Sequence, residues 1–286
     1  MSNIIVGIIL GIVQGISEWL PISSKTQVLV ASTYLLHLNF QQAYSFGLFM
    51  EVGTILAAII YFRREMVSLI RAITMRGSHE ENRLLIYVVV ATVITAIIAT
   101  PLYLYADSIT EVPIGIPMLI IGAVLIIDAI VIRYSRKRKS HATNTRKLKD
   151  LKIRDYAIVG IAQGIAALPG VSRSGMTTSF MLLMKIEPDE AFRLSFIVGI
   201  FASAGAFALT MLASHANLSS ALSSVGTIGL VVAIATATII SLLLIDFLLK
   251  VAGRSEIVYL TAALGILAII GGVMAMVFAT GIVGMT

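Results

Sequence analysis

The sequence contains the same short pattern twice, once near its N-terminus and once just beyond its middle. The first copy is the run Gly11-Ile12-Val13-Gln14-Gly15-Ile16, followed by Leu20-Pro21-Ile22-Ser23-Ser24. The second copy is the run Gly160-Ile161-Ala162-Gln163-Gly164-Ile165, followed by Leu168-Pro169-Gly170-Val171-Ser172-Arg173-Ser174. In each copy an apolar helical segment stops at Leu-Pro and continues through a serine-rich turn. Paired interrupted helices in two halves of a chain are typical of membrane proteins with a central site.

The composition indicates an integral membrane protein. The chain has 58% hydrophobic and 13% charged residues and a mean hydropathy of +0.98, whereas soluble domains have about half apolar and about a quarter charged residues. It contains no cysteine, which excludes disulfides and thiolate chemistry, and its four histidines lack the spacing of a zinc site. The first residues show no basic stretch and no cleavage pattern, so we expect no removable signal peptide.

Six apolar runs are long enough to cross the roughly 30 Å hydrocarbon layer of a membrane. They lie at 41–63, 83–106, 114–134, 190–213, 225–249 and 256–280. The segments 3–37 and 156–186 each contain a Leu-Pro break, and broken backbone at membrane depth is tolerated only inside protein or a wet cavity. The sequence therefore predicts an all-α polytopic membrane protein with six transmembrane helices and two re-entrant helix-loop-helix hairpins.

Each half of the chain then contains one hairpin and three spans. The first repeat covers residues 1–134, a basic cytoplasmic linker covers 135–155, and the second repeat covers 156–286. Because three is an odd number, the second half enters the membrane from the opposite face, which is an inverted-topology repeat. The two broken loops are then expected to meet near the middle of the membrane, with Glu18 and Arg173 in one polar cavity.

The distribution of basic residues supports this topology independently. Nineteen of the 21 Lys and Arg residues fall on one predicted side, in or beside 63–83, 134–155, 185–193 and 250–256. Cytoplasmic loops carry an excess of Lys and Arg, so we predict a plasma-membrane protein with both termini outside. The formal net charge of +6 then reflects topology and does not predict nucleic-acid binding, although the run 133–154 is also suited to anionic lipid headgroups.

The two remaining cations, Lys25 and Arg173, lie in the two breaks, where an unpaired charge at membrane depth is costly. Glu18 follows Gln14 by one helical turn and lies on the same helix face. The second arm of each hairpin begins at a break, so its N-terminus adds a positive dipole end. Neighbouring hydroxyl and amide side chains are Ser23, Ser24, Thr26, Gln27, Ser172, Ser174, Thr177 and Thr178. Together these groups predict an anion site, and phosphate suits the fork of an arginine.

Several of these residues also have a structural explanation. Ser24 and Ser174 are suited to cap the second hairpin arms, and Glu18 is suited to be only the ion-pair partner of Arg173 or Lys25. Glu51 lies in the middle of the first long span, where a protonated, packed carboxyl is the alternative to a functional one.

Three further ionisable residues are better explained by structure than by function. Asp128 and Asp246 lie near the predicted cytoplasmic ends of their spans, where Arg133 and Lys250 are available as partners. His37 is more easily explained as a residue of the membrane interface than as a catalytic base, because it is distant from the loop.

At the two breaks the chain resembles the undecaprenyl-pyrophosphate phosphatase (bacitracin-resistance) family. The signature (E/Q)xxxE of that family corresponds to Gln14-Gly15-Ile16-Ser17-Glu18, and PGxSRSxxT is matched completely by residues 169–177. The similarity extends over the whole chain in length, repeat and span count. It implies that a polyprenyl (undecaprenyl-type) diphosphate is hydrolysed to the monophosphate lipid carrier and inorganic phosphate, which recycles the carrier for cell-envelope glycan synthesis. It also implies a divalent cation and an active site that faces outward.

The resemblance implies roles for individual residues. Glu18 would be the essential carboxylate that holds metal or acts as base, Ser24 the candidate nucleophile, and Arg173 the phosphate clamp. The residues assigned to substrate binding are Gln14, Ser23, Lys25, Thr26, Gln27, Glu51, Ser172, Ser174 and Thr177. Because so few acids are available, Mg²⁺ or Ca²⁺ is expected to bind with the help of substrate oxygens. The chain departs from the family at Lys25-Thr26-Gln27, where the usual continuation is Thr-Gly-His.

Other functions stay open on the sequence alone. Inverted repeats with central broken helices are also the architecture of secondary transporters, so transport of phosphate or flipping of a polyprenyl phosphate is the alternative. A lipid phosphatase with a histidine nucleophile would need paired histidines beside the arginine loop, and the four histidines are not placed for that. The expected partners are a polyprenyl diphosphate lipid and the membrane, with a homodimer as the candidate assembly.

Overall fold

The computed structural model describes residues 2–20, 24–108, 145–168, 171–252 and 256–283, and scattered helical positions between 116 and 134. These residues form α-helices and no β-strand. In chain order the helices are α1 (Asn3–Ser17), α2 (Ser24–Leu36), α3 (Phe40–Tyr61), α4 (Arg63–Ile73), α5 (His79–Ser108), α6 (Ile153–Ile165), α7 (Arg173–Leu183), α8 (Pro188–Ala213), α9 (His215–Ala252) and α10 (Glu256–Val283).

Four helices within the described part are long and apolar enough to cross a membrane. They are Gln41–Tyr61 in α3, His79–Tyr105 in α5, Pro188–Ala213 in α8 and His215–Lys250 in α9. The protein is therefore an all-α polytopic membrane protein, as predicted. The predicted span 256–280 lies within α10, whereas most of the predicted span 114–134 lies outside the described residues.

Helix α9 begins earlier than predicted. The predicted start at residue 225 coincides with a kink at Gly226, where φ is 72° and ψ is 159°. A side chain is strained in this conformation, and glycine adopts it readily. Residues 215–225 form an additional helical segment before the kink, and their serine-rich composition concealed it in a search for apolar runs.

Helix α4 was not anticipated by the sequence analysis, which treated 63–83 as a loop. Leu69 and Ala72 on one face of α4 are buried against the protein. Arg193 of α8 connects the same helix to the bundle, because it donates hydrogen bonds to Glu65 of α4 at 3.0 and 3.2 Å and to Glu190 at 3.1 Å. An amphipathic helix of 11 residues is too short and too polar to appear as a membrane span.

Both Leu-Pro segments interrupt the helices as predicted. Helix α1 has 15 residues and α6 has 13, so at 1.5 Å per residue each is only about 20 Å long. This length is less than the roughly 30 Å hydrocarbon layer. The chain continues after each break into a second short helix, α2 after the first and α7 after the second.

The two short helices pack in corresponding ways. Helix α1 lies along α9 and α6 lies along α5, while α3 and α8 contact each other between them. Glycines allow this close approach, as is common between membrane helices. A Cβ atom added at Gly11 would lie 2.5 Å from the carbonyl oxygen of Ala233, and one added at Gly160 would lie 2.7 Å from that of Ala91.

We predict that Gly11→Ala destabilises the protein, because the added methyl group forces α1 and α9 apart. Overpacking of this kind costs about 1–3 kcal/mol, which corresponds to an apparent Tm lower by roughly 2–10 °C in a thermal scan of the detergent-solubilised protein. Gly205→Ala in α8 is the matched control, since an added Cβ meets no atom within 4 Å there. An equal Tm for the two variants would contradict the packing argument.

Candidate active site

The two breaks meet in the interior of the helix bundle, as the inverted repeat predicted. Glu18, in the first break, forms an ion pair with Arg173, the first residue of α7. Ser174 donates a hydrogen bond to the carbonyl oxygen of Leu20 at 3.2 Å, and Lys25 donates one to the carbonyl oxygen of Ala166 at 2.8 Å. The prediction that Glu18 and Arg173 share one polar cavity is confirmed.

The guanidinium group of Arg173 contacts two carboxylates from different helices. Its Nη2 atom donates to Glu18 Oε1, and its Nη1 atom donates to Glu51 Oε2 at 3.2 Å. Ser203 of α8 contacts both Nη1 of Arg173 and Oε2 of Glu51. The side chains of Glu18 and Glu51 are only 3% and 2% exposed, so their negative charges depend on the cation beside them.

The second oxygen of Glu18 accepts two further hydrogen bonds. The hydroxyl of Ser24 donates to Oε2 at 2.6 Å, and the amide Nε2 of Gln14 donates to the same oxygen at 2.9 Å. A hydroxyl bound to a carboxylate in this way has the arrangement of a nucleophile and its base. The Oε1 atom of Gln14 is buried and has no hydrogen-bond partner among the described residues.

The side chain of Lys25, a residue of α2, reaches the C-terminal end of α6. Carbonyl groups at a helix C-terminus lack partners within the helix. Its ammonium group binds the carbonyl oxygen of Ala166, and the hydroxyl of Tyr44 binds that of Ala167 at 2.8 Å. A cation is favoured at this negative end of a helix. Lys25 therefore stabilises the second break in addition to adding positive charge to the site.

The serines of the second break have different roles. Ser172 is the N-cap of α7, because its Oγ accepts a hydrogen bond from the backbone N–H of Gly175 at 3.2 Å. The suggestion that Ser174 is the cap is therefore wrong, since Ser174 is already inside the helix and its hydroxyl binds Leu20. Ser24 is the first residue of α2, and its hydroxyl donates to Glu18.

Two other predicted substrate-binding residues, Thr177 and Gln27, have different surroundings. The hydroxyl of Thr177 donates to the carbonyl oxygen of Arg173 at 2.9 Å and contacts Ser195 of α8. Gln27 is half-buried in α2 and is not among the lining residues of the two cavities described below. Ser23 and the side chain of Thr26 lie outside what the structure describes. For these four residues substrate binding stays a prediction.

Two of the cavities at the breaks share Lys25. The smaller, with about 10 Å³ of free volume, is lined by Glu18, Ser24, Lys25, Glu51, Val171, Ser172, Arg173 and Ser174. This volume holds about one water molecule, so a phosphate group can enter only if side chains move. The larger has about 130 Å³ and lies between α3, α5 and α8, with Leu48, Tyr103, Phe201 and Leu209 among its mostly apolar lining and Lys25 shared with the smaller one.

Two of the remaining ionisable candidates, Asp246 and His37, are explained by structural roles. Asp246 binds Lys250 and accepts a hydrogen bond from the hydroxyl of Tyr61 at 3.2 Å, in agreement with the structural interpretation. His37 follows the last residue of α2 with φ of 56°, a conformation common at helix C-termini, and lies at the opposite end of α2 from Ser24. Asp128 lies outside the described residues.

The sequence analysis missed Ser203, Tyr44 and Trp19. Ser203 and Tyr44 occur in long apolar helices, where one hydroxyl gives no local signal of a distant partner. Trp19 follows Glu18 directly, and its ring packs edge-on against Phe196 at 4.9 Å between ring centres. Sequence patterns do not predict these contacts, because each contact joins segments that are far apart in the chain.

Comparisons with known proteins agree with the motif resemblance. A family model described as "Bacitracin resistance protein BacA" matches residues 7–280. A protein named undecaprenyl-diphosphatase from Saccharolobus solfataricus is 52% identical over 275 residues, which are 96% of this chain and 97% of the relative. Proteins of the same name from Sulfurisphaera tokodaii and Pyrobaculum aerophilum are 46% and 38% identical, over 95% and 96% of this chain and 98% of each relative. The chain therefore belongs to the bacitracin resistance protein BacA family.

Proposed function

We propose that this protein is a membrane phosphatase that hydrolyses an undecaprenyl-type polyprenyl diphosphate to the monophosphate lipid carrier and inorganic phosphate. This reaction recycles the carrier for cell-envelope glycan synthesis. The observation that carries the proposal is the contact of Glu18 with both Ser24 and Arg173. In this buried cluster a hydroxyl, a carboxylate and a guanidinium group lie together, and they suit the roles of nucleophile, base and phosphate-binding cation. The relatives of the chain are named undecaprenyl-diphosphatase.

The proposed topology has six transmembrane helices and two re-entrant hairpins, in repeats 1–134 and 156–286 joined by the basic cytoplasmic linker 135–155. Both termini and the opening of the active site face outward in the plasma membrane. Support comes from the short length of α1 and α6 and from their corresponding packing on α9 and α5. The concentration of Lys and Arg at one set of helix ends supports the orientation.

The substrate is proposed to bind with its prenyl chain against the apolar cavity and its diphosphate at the breaks. Lys25 lines both cavities, so the two parts of an amphipathic lipid would lie on either side of its ammonium group. Arg173 offers the fork geometry that suits phosphate oxygens. The N-termini of α2 and α7 begin beside it, and their free N–H groups favour an anion.

The chemistry follows from the Ser24–Glu18 contact. The Oγ atom of Ser24 attacks the terminal phosphorus while its proton passes to Oε2 of Glu18, and the phosphoanhydride P–O bond breaks with its electron pair going to the polyprenyl monophosphate. Water then cleaves the phosphoserine and releases inorganic phosphate. Phosphoryl transfer depends mainly on positioning and charge stabilisation, and the arginine supplies both.

The residues present also fit a divalent cation. Glu18, Ser24 and Gln14 offer only oxygen ligands, which Mg²⁺ and Ca²⁺ prefer, and the unpartnered Oε1 atom of Gln14 has no other use among the described groups. Glu18 and Gln14 would hold the ion with help from substrate oxygens. Such an ion would neutralise charge on the transferring phosphoryl group.

Hydrolysis is favoured over the transporter or flippase alternative. A hydroxyl bound to a buried carboxylate has a direct use in phosphoryl transfer, whereas transport requires no nucleophile. The relatives are named as phosphatases. A homodimer is retained as the proposed assembly.

We predict that purified protein in detergent releases phosphate from polyprenyl diphosphates when Mg²⁺ or Ca²⁺ is present. Glu18→Gln is expected to lower turnover by about two orders of magnitude or more, since one positioned acid-base group contributes roughly 10²–10⁴-fold. Glu65→Gln on α4 is the matched control and should retain activity. Binding of the lipid without phosphate release, with either cation, would contradict the phosphatase function and support transport.

Replacement of Ser24 distinguishes covalent from direct hydrolysis. Ser24→Ala should reduce phosphate release at least about 10³-fold if the hydroxyl is the nucleophile, because loss of a nucleophile is not compensated by its base. Mass spectrometry of acid-quenched wild-type protein should detect phosphate on Ser24 during turnover. Activity of Ser24→Ala within about tenfold of wild type would instead assign the attack to a water molecule activated by Glu18.

The topology is tested by cysteine accessibility, which is straightforward because the chain has no cysteine. A cysteine introduced at Lys147 should not react with a membrane-impermeant thiol reagent in intact cells and should react after the membrane is opened. A cysteine at Ser2, beside the N-terminus, should react from outside in both cases. The reverse pattern would show that the basic linker is external.

A further inference from the structure

We propose that Glu51 shares the divalent cation with Glu18 and Gln14, and that the guanidinium group of Arg173 takes the place of this cation when the protein is metal-free. The role of such a site in catalysis rests on the proposed phosphatase function. Its existence does not, because cation binding is measurable without any lipid. The metal site would then contain two carboxylates rather than one, and in the metal-free protein both would bind Arg173.

The positions of the two carboxylates support a shared cation. Glu18 Oε1 and Glu51 Oε2 contact neighbouring nitrogens of the same guanidinium group, although they belong to helix segments far apart in the chain. Two oxygens bound to one Mg²⁺ or Ca²⁺ are at most about 4–5 Å apart, since each metal–oxygen distance is about 2.0–2.6 Å. Small rotations of the two side chains toward each other would suffice once Arg173 leaves.

The amide group that binds Glu18 carries a third candidate oxygen ligand. Gln14 is fully buried, and its Nε2 atom is held by Glu18 Oε2. Its Oε1 atom has no hydrogen-bond partner in the described part of the structure. A buried carbonyl oxygen without a partner is costly, and a cation ligated by Glu18 would satisfy it. This unpartnered atom is an observation independent of the two carboxylates.

The charges of the site favour exchange rather than simple addition. Two carboxylates, Glu18 and Glu51, face two cations, Arg173 and Lys25, in a cavity with about 10 Å³ of free volume. Lys25 is held by the carbonyl oxygen of Ala166. Arg173 is held by the two carboxylates themselves, so it is the cation that a metal bound to them would displace. A diphosphate adds negative charge that a buried site cannot accept unless positive charge enters with it.

Binding of the divalent cation would have two effects: it would neutralise the carboxylates and release Arg173. When a divalent cation occupies the carboxylate pair, the fork of Arg173 is released and becomes available to the phosphate oxygens. Without the cation, both carboxylates hold the arginine and the phosphate site is closed. Metal dependence would then arise from release of Arg173 in addition to the charge that the metal supplies.

Terbium luminescence provides a direct test. Tb³⁺ binds oxygen ligands like Ca²⁺ and emits strongly when a nearby indole is excited, and the only tryptophan of the chain, Trp19, lines a cavity together with Glu18 and Arg173. Titration of the wild type, Arg173→Gln, Arg173→Gln with Glu51→Gln, and Glu65→Gln with Tb³⁺ alone gives four dissociation constants. No substrate is present, so phosphatase activity does not enter the measurement.

The expected result is that Arg173→Gln binds Tb³⁺ at least about tenfold more tightly than the wild type, because its competitor for the carboxylates is gone. Adding Glu51→Gln should remove this gain, since loss of a ligand or its support typically weakens metal binding 10–100-fold. The control Glu65→Gln should bind like the wild type. Unchanged or weaker binding by Arg173→Gln, or full binding by the double variant, would overturn the proposal.

If Arg173→Gln does not fold, as judged by size-exclusion chromatography, the comparison of wild type with Glu51→Gln remains decisive. At least tenfold weaker Tb³⁺ binding by Glu51→Gln supports the proposal, and equal or tighter binding overturns it. Phosphate release by the wild type is measured separately. A protein that binds Tb³⁺ as expected and releases no phosphate has the cation site without the proposed function. A protein that releases phosphate and fails the Tb³⁺ test has the proposed function without this cation site.

Discussion

One arginine between two buried carboxylates connects the fold to the site. Arg173 joins the first break, through Glu18, to the middle of α3, through Glu51, and Ser203 of α8 contacts the same group. Removal of one partner from a buried ion pair is strongly destabilising, by about 3–5 kcal/mol, because the remaining charge is left without compensation. The segments that form the two breaks are thus held together by the same charges that we propose bind the phosphate.

The breaks themselves require stabilisation, because each leaves backbone carbonyl groups without helical partners inside an apolar bundle. At the second break Lys25 and Tyr44 satisfy the carbonyl oxygens of Ala166 and Ala167. This gives a physical reason for the lysine at a position where the family usually has threonine. Its ammonium group, on α2, binds a carbonyl oxygen of the second break, so α2 stabilises the end of α6. The substitution of Gln27 for the usual histidine has no comparable explanation, since Gln27 lines neither of the two cavities that share Lys25.

The sequence predicted the parts of the structure that follow from periodicity and charge. The Leu-Pro breaks and the long apolar helices follow from hydropathy, and the proximity of Glu18 to Arg173 was expected from the predicted odd number of spans in each repeat. Ser203 could not be predicted, because its function depends on which face of α8 meets Glu51. The N-cap at Ser172 was missed for a different reason: Ser172 and Ser174 have the same side chain, and only the first residue of the helix determines which of them is the cap. Helix α4 was hidden by its charge.

The two oxygens of Glu18 have different neighbours, and this difference would allow one carboxylate to serve both tasks that we propose for it. Oε2 accepts hydrogen bonds from Ser24 and Gln14, whereas Oε1 faces Arg173. In the proposed reaction, a proton passed from Ser24 to Oε2 lowers the negative charge with which Glu18 competes against the phosphate for Arg173. Return of the arginine from the phosphate to Glu18 is then disfavoured while negative charge grows on the phosphate. In a buried site of balanced charge, proton transfer and phosphate binding by the arginine are therefore coupled through a single carboxyl group.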